Sequence, residues 1–300
     1  MPVWQPEPGE TLLARNPCFF ASGLAPTLRG KRWFRDPEGR DIQSELTEQA
    51  GWPEAPTMEP LDPGEAKKNG FVRGLGTAAF GAIGLAVGVL GGNLPGDSGG
   101  GKGGRVTDRP NEIDDFPVLC GAPGTLARTL PWQLDPGRQP EDYTTHLAVT
   151  DRRLLVLGLP GKDAERDEVL WQAEREVIAS ATRMPYSPTR HDLKLVFSDG
   201  SWCRLVGTSA FWPGSNQIRQ PPDIIPEGDY TPALRKAIAE VQRTFPDREV
   251  LFVQRRRSGN YVIRGRHPHD KPSANSGLFL HPAIVNESGR RVRMPSDDDI

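Results

Sequence analysis

Hydrophobic and polar positions alternate most regularly between residues 114 and 246. Short strands are predicted there at 116–120, 144–150, 153–159, 168–172, 176–182, 192–198 and 201–206. Leu193, Leu195 and Phe197 alternate with Lys194 and Val196, as expected when one face of a sheet is buried. Asp151-Arg152 marks one tight turn, and Asp199-Gly200 marks a hairpin between LKLVF and SWCRLV. After a proline-rich connection at 213–232 the period lengthens: Leu234, Ile238, Val241 and Phe245 recur at three- to four-residue spacing. This predicts a helix over 233–245, with Thr231 as N-cap and Pro232 in the first turn. A further hairpin is expected over 249–266, where VLFVQRRR and NYVIRGR flank Ser258-Gly259.

A different pattern fills residues 74–96, GLGTAAFGAIGLAVGVLGGNLPG, which carry no charge until Asp97. As a helix, the apolar core at 75–92 would span roughly 27 Å, close to one bilayer core. Gly81, Gly84, Gly88, Gly91 and Gly92 fall on one helical face beside a ridge of Phe80, Ile83, Val87 and Leu90. That small-xxx-small spacing lets two helix backbones approach closely in a membrane. A membrane-associated, self-associating helix is therefore expected. The alternative is a segment packed against the protein's own core. The basic residues Lys67, Lys68 and Arg73 before it balance Lys102, Arg105 and Arg109 after it, so charge gives no orientation.

Composition limits the rest. The chain has 300 residues with 33 Gly and 30 Pro, so one substantial core with long irregular segments is expected. The expected division is an irregular N-terminal region at 1–70 with a few strands, the apolar helix at 71–95 and a Gly-rich linker at 96–113. A folded domain follows at 114–246, then a basic hairpin and an acidic, poorly ordered tail at 247–300. A net charge of −2 gives no reason to expect nucleic acid as a partner. Cys18, Cys120 and Cys203 form no CxxC pair and no even set, which fits a reducing, cytoplasmic setting. No basic n-region precedes an apolar run at MPVWQPEPGE, so a cleavable signal peptide is not expected.

Seven strands followed by one amphipathic helix is the order of a pleckstrin-homology-like (PH-like) barrel. The sequence resembles bacterial PH-like domains at HLAVTDRRLLVL (146–157), VLWQAEREVIASATRM (169–184) and DLKLVFSDGSWCRL (192–205), and GETLLAR (9–15) resembles the start of such proteins. The resemblance implies an α+β fold: a seven-stranded antiparallel barrel capped by the C-terminal helix, with Trp171 and Trp202 in its core. Basic residues around the first hairpin, which phosphoinositide-binding members use, are represented between 116 and 149 only by Arg128 and Arg138, so inositol-lipid specificity does not carry over.

Catalytic chemistry is weakly signalled. GDSGG at 96–100 resembles a serine-protease nucleophile loop, but the five histidines all follow it, starting at His146. Gly96, Gly101 and Lys102 nearly match a P-loop, yet Gly103 stands where Ser or Thr must hold magnesium. His267, His269 and His281 are metal-ligand types without the spacing of a closed site. No enzyme, metal or cofactor is expected; a metal-dependent hydrolase is the last alternative. Arg255, Arg256, Arg257, Arg264 and Arg266 form the densest basic cluster and are candidates for contact with anionic lipid. The expected function is that of a membrane-associated PH-like binding module, with a protein-interaction protein off the membrane as the alternative.

Overall fold

The computed structural model describes residues 3–21, 28–29, 34–53, 59–60, 117–161, 166–184, 192–207, 218, 223–267 and 281–292. The elements are β1 (Leu12–Phe20), β2 (Leu28–Arg29), β3 (Phe34–Arg35), α1 (Gln43–Ala50), β4 (Glu59–Pro60), β5 (Leu119–Cys120) and β6 (Tyr143–Thr150). They continue with β7 (Arg153–Pro160), β8 (Glu168–Glu174), β9 (Ile178–Met184), β10 (Asp192–Phe197) and β11 (Trp202–Gly207). The last are β12 (Asp223–Ile225), α2 (Pro232–Thr244), β13 (Glu249–Arg255), β14 (Tyr261–Arg266) and β15 (His281–Val285). The protein is β-rich, with two α-helices among the described residues.

The main sheet has nine strands in a strongly curled, mostly antiparallel half-barrel. Its curl comes from β1, which is shared by both halves. Leu12 to Pro17 pair with β6, whereas Cys18, Phe19 and Phe20 pair with β11. The change of partner falls at Pro17, which has no N–H to donate to a ladder. Just beyond it, the Cys18 carbonyl accepts a hydrogen bond from the Thr145 hydroxyl. From this strand, β6, β7 and β8 extend in one direction and β11, β10 and β9 in the other. β5 shares with β1 the same edge of β11, and β3 runs parallel to β5.

Alternation decides what the curl encloses. Leu147, Val149, Leu154, Val156, Leu193, Leu195, Phe197, Cys203 and Leu205 all face one core. The hairpin turn at Asp199-Gly200 forms as expected, with Gly200 at φ 84° and the Asp199 carboxylate accepting from the Ser201 amide at 2.9 Å. The segment between β1 and β6 adds Phe34, Ile42, Leu46, Trp52, Leu130 and Leu134 to the same core. Phe20 meets Phe34 edge-on at 5.7 Å, and Phe34 meets Trp52 at 4.9 Å. Arg138, ion-paired with the buried Asp135, stacks 5.0 Å from the Trp52 ring.

The C-terminal elements differ from expectation. Helix α2 begins as the sequence indicates, with the Thr231 hydroxyl accepting from the Leu234 amide at 3.2 Å. It does not cap the curled sheet. Its stripe of Leu234, Ala237 and Val241 packs against Ile225, Val253, Tyr261, Ile263 and Val285, on a second, four-stranded sheet ordered β12-β13-β14-β15. The nearest apolar surface in sequence is the hairpin that follows it, and this local pairing wins. The boundary expected at 246 therefore cuts through one hydrophobic cluster, and β15 lies where a poorly ordered tail was expected. Across β13, Ile224, Leu251 and Phe252 pack instead against the main core, so the second sheet has two buried faces. A register shift between Val250 and Phe252 accommodates Leu251 on that side.

Trp202 is also placed differently. Its neighbours Cys203 and Leu205 face the core, so alternation turns Trp202 outward. There it lies half-buried, with Lys194 Nζ 4.2 Å and the Arg204 guanidinium 4.8 Å from its ring. Trp171 does pack against the core, 6.1 Å from Phe197.

The membrane expectation is corrected. Among the described residues no helix is long and apolar enough to cross a membrane. The two α-helices have 8 and 13 residues, against about 20 needed for a span. The transmembrane glycine-zipper helix is therefore withdrawn. Residues 74–96, with Gly81, Gly84, Gly88, Gly91 and Gly92, lie outside the described residues, as do the GDSGG and P-loop-like motifs.

If the aromatic cluster fixes the end of β1, Phe20→Ala should destabilise the protein by about 3–5 kcal/mol. Urea unfolding followed by circular dichroism measures this, and a loss below about 1 kcal/mol would mean that the ring does not anchor the strand.

Candidate functional site

The structure brings two sequence motifs together. GETLLAR enters β1, TDRRL turns from β6 into β7, and residues 9–11 lie directly against residues 150–153. The Glu10 carboxylate receives Arg153 Nε at 3.0 Å and Nη2 at 2.6 Å, the Thr150 hydroxyl at 2.7 Å and the Glu7 amide at 2.9 Å. The Thr11 amide donates to Asp151 Oδ1 at 2.8 Å, and the Asp151 amide donates back to the Thr11 carbonyl at 3.0 Å. Arg152 Nη2 reaches the Gly9 carbonyl at 2.7 Å, and Arg175 Nη1 reaches the Thr150 carbonyl at 2.7 Å. Burial alone would raise the Glu10 pKa. The hydrogen bonds from Arg153, Thr150 and the Glu7 backbone outweigh it and hold the carboxyl at about 2.

A second polar group lies on the outer face of the same strands. Arg15 donates Nη1 and Nη2 to the two Asp167 oxygens, both at 2.7 Å, and Nε to His146 Nδ1 at 3.4 Å. All three residues are buried. The Trp4 amide also donates to Asp167, and the Trp4 ring packs on Leu12, Ala148, Leu155, Leu157 and Leu159. Because Nδ1 of His146 accepts, its ring proton sits on Nε2. These charges satisfy one another, and the arrangement holds β1, β6 and the entry to β8 in register rather than presenting a reactive group. Sequence reasoning placed GETLLAR and TDRRL as motifs but missed Arg15 and Asp167, whose separation of 152 residues leaves no local signal.

The basic cluster is divided between faces and environments. Arg255 is exposed, with its guanidinium 5.8 Å from the Tyr261 ring, and Arg257 is exposed in the turn. Arg256 is buried, Arg264 is half-buried, and Arg266 bonds Glu249 at 3.2 Å. Burial, followed by the charge of nearby Arg256, pushes the Arg264 pKa down to about 10. Among the described residues no group of three or more His, Cys, Asp or Glu could hold a metal ion. His267 ends β14, His281 starts β15 and His269 lies outside the described residues.

The remaining exposed feature is β8. It pairs with β7 on one side and, among the described residues, with no strand on the other. Glu168, Gln172 and Glu174 are exposed along it, and Val169 is 49% exposed.

In comparisons with known proteins, no family model, no curated protein and no solved structure matches the chain. The curled sheet is compatible with a barrel-like fold.

The two polar groups generate two predictions. Glu10 titrates near 4.5 when unfolded and near 2 when folded, so its contribution is fully present above pH 4.5 and disappears as pH falls through 2. Over that window wild type should lose about 2 kcal/mol relative to Glu10→Gln; urea midpoints that fall in parallel would remove the clasp from the account. Separately, Arg15→Met or Asp167→Leu alone should cost about 3–5 kcal/mol by stranding a buried charge, while the double variant recovers most of it. Additive losses in the double variant would show that the two side chains are not coupled.

Proposed function

We propose that this chain is a non-enzymatic protein-interaction protein whose curled sheet is a PH-like barrel. The strand succession supports the fold: three consecutive antiparallel strands lie on each side of a bent first strand, β8-β7-β6 on one and β11-β10-β9 on the other. GETLLAR leads into the bent first strand β1, which also supports this reading.

The observation that carries the functional reading is the β8 edge. An edge strand presents backbone donors and acceptors to any extended segment that can lie beside it, and side-chain pairing then sets specificity. With Glu168, Gln172 and Glu174 exposed around Val169, the fitting partner is an extended protein segment that presents basic side chains around a small apolar one.

A photoreactive residue at position 169, compared in native cells with one at exposed position 240 on α2, tests this reading. The expected result is a discrete protein adduct at 169, absent at 240 and weakened by Glu168→Lys with Glu174→Lys. No adduct at 169, or the same adducts at both positions, would defeat it.

A further inference from the structure

Two large hydrophobic side chains are exposed among the described residues, Val169 at 49% and Val292 at 38%. Their surroundings carry opposite charge. Val169 lies on β8 with exposed Glu168 and Glu174, whereas Val292 follows exposed Arg290 and Arg291 in the turn after β15. Arg290 and Arg291 form no ion pair among the described residues; the Arg291 guanidinium lies 5.9 Å from the Phe245 ring.

The backbone at Arg291 is open to pairing. The Asn286 amide donates to the Arg290 carbonyl and the Val292 amide to the Ile284 carbonyl, both at 2.9 Å, on either side of the Val285↔Arg291 bridge. Backbone groups of successive residues alternate between the two sides of an antiparallel strand. The N–H and C=O of Arg291 therefore point away from β15, to a side with no strand among the described residues. β8 presents the same kind of open side opposite β7. The two segments adjoin different sheets and both are exposed, so one copy of the chain does not join them. Two β8 strands repel through Glu168 and Glu174, and two 290–292 segments repel through their arginines. Only the unlike pair sets opposite charges across a ladder.

We propose that residues 290–292 of a second copy of this chain pair with the β8 edge, Val292 beside Val169, which names the partner of that edge and rests on the interaction reading. Strand parity supports the fit. Gln172 and Glu174 share a face with Val169, because they pair with Leu155 and Arg153 as Val169 pairs with Leu157. Arg290 and Val292 also share a face. An antiparallel alignment with Val292 against Val169 turns Arg290 toward Gln172 and Glu174, and Arg291 toward the face of Glu168. The contact joins unlike surfaces, so association proceeds as a reciprocal pair or as a longer series.

Sedimentation equilibrium of the purified full chain, over about 1 μM to 1 mM, tests this. The mean mass is expected to rise with concentration. Arg290→Glu with Arg291→Glu, or Glu168→Lys with Glu174→Lys, should each raise the dissociation constant by about tenfold or more. One chain carrying all four changes should regain association, and circular dichroism checks that each variant is folded. A photoreactive residue at 169, in a mixture of unlabelled and isotope-labelled chains, should attach to 290–292 of the other copy. A monomer mass at every concentration, an adduct elsewhere on the second copy, or no recovery in the folded fourfold variant overturns the proposal. A monomeric chain that still forms a discrete adduct with a different protein at 169 in native cells excludes the second copy and keeps the edge reading; no adduct in either setting removes both.

Discussion

The main sheet depends on one bent strand. β1 is buried along all nine residues and is hydrogen-bonded first to β6 and then to β11, so each half of the curl exists only because the other fixes its end of the strand. About 120 residues separate β1 from β6 in sequence. Closing so long a loop costs only about 4 kcal/mol of chain entropy, because that cost grows logarithmically with length. The intervening segment contributes as well as separates. Phe34, Ile42, Leu46 and Trp52 return to the core that Phe20 enters.

Buried charge adds specificity to that arrangement. A one-residue slip of β1 would carry Arg15 from the outer face, where Asp167 meets it, into the apolar interior beside Leu147 and Val149. Arg138 plays a similar part in the returning segment: its charge is matched by Asp135, its Nε reaches the Pro53 carbonyl at 2.8 Å, and its flat face covers Trp52. These pairs add little net stability over apolar replacements of the same shape. Their effect is to make the wrong registers much worse than the right one.

Local physics made much of this legible in the sequence. Alternation at Leu193, Leu195 and Phe197, the Asp199-Gly200 turn and the Thr231 cap each depend on a few neighbouring residues, and all three appear in the structure. What the sequence could not supply is partnership across distance. The stripe on α2 announces an amphipathic helix but not which sheet it covers, and the hairpin next to it offers the closer apolar face. Trp202 looks like a core residue by type, yet strand parity gives the inward positions to Cys203 and Leu205. The ion pair of Arg15 with Asp167 has no spacing to betray it. Within the arginine cluster, composition shows only density; burial and the Glu249 partner divide side chains that look equivalent in a string.

The charges along β8, which among the described residues has a strand on one side only, oppose pairing of that edge with itself. Two copies of β8 aligned antiparallel would bring Glu168 of one near Glu174 of the other at both ends, and like charges opposite one another across a ladder disfavour it. Edge strands are commonly protected by charge in this way. Protection by carboxylates is selective, because it repels an identical strand while attracting a basic one. The Arg153 side chain, inward of this edge, is already held by Glu10 and by Gln172 at 2.9 Å, so it does not neutralise Glu168 at the far end of the strand. At an edge of this kind, selectivity rests on a repulsive element as much as on an attractive one.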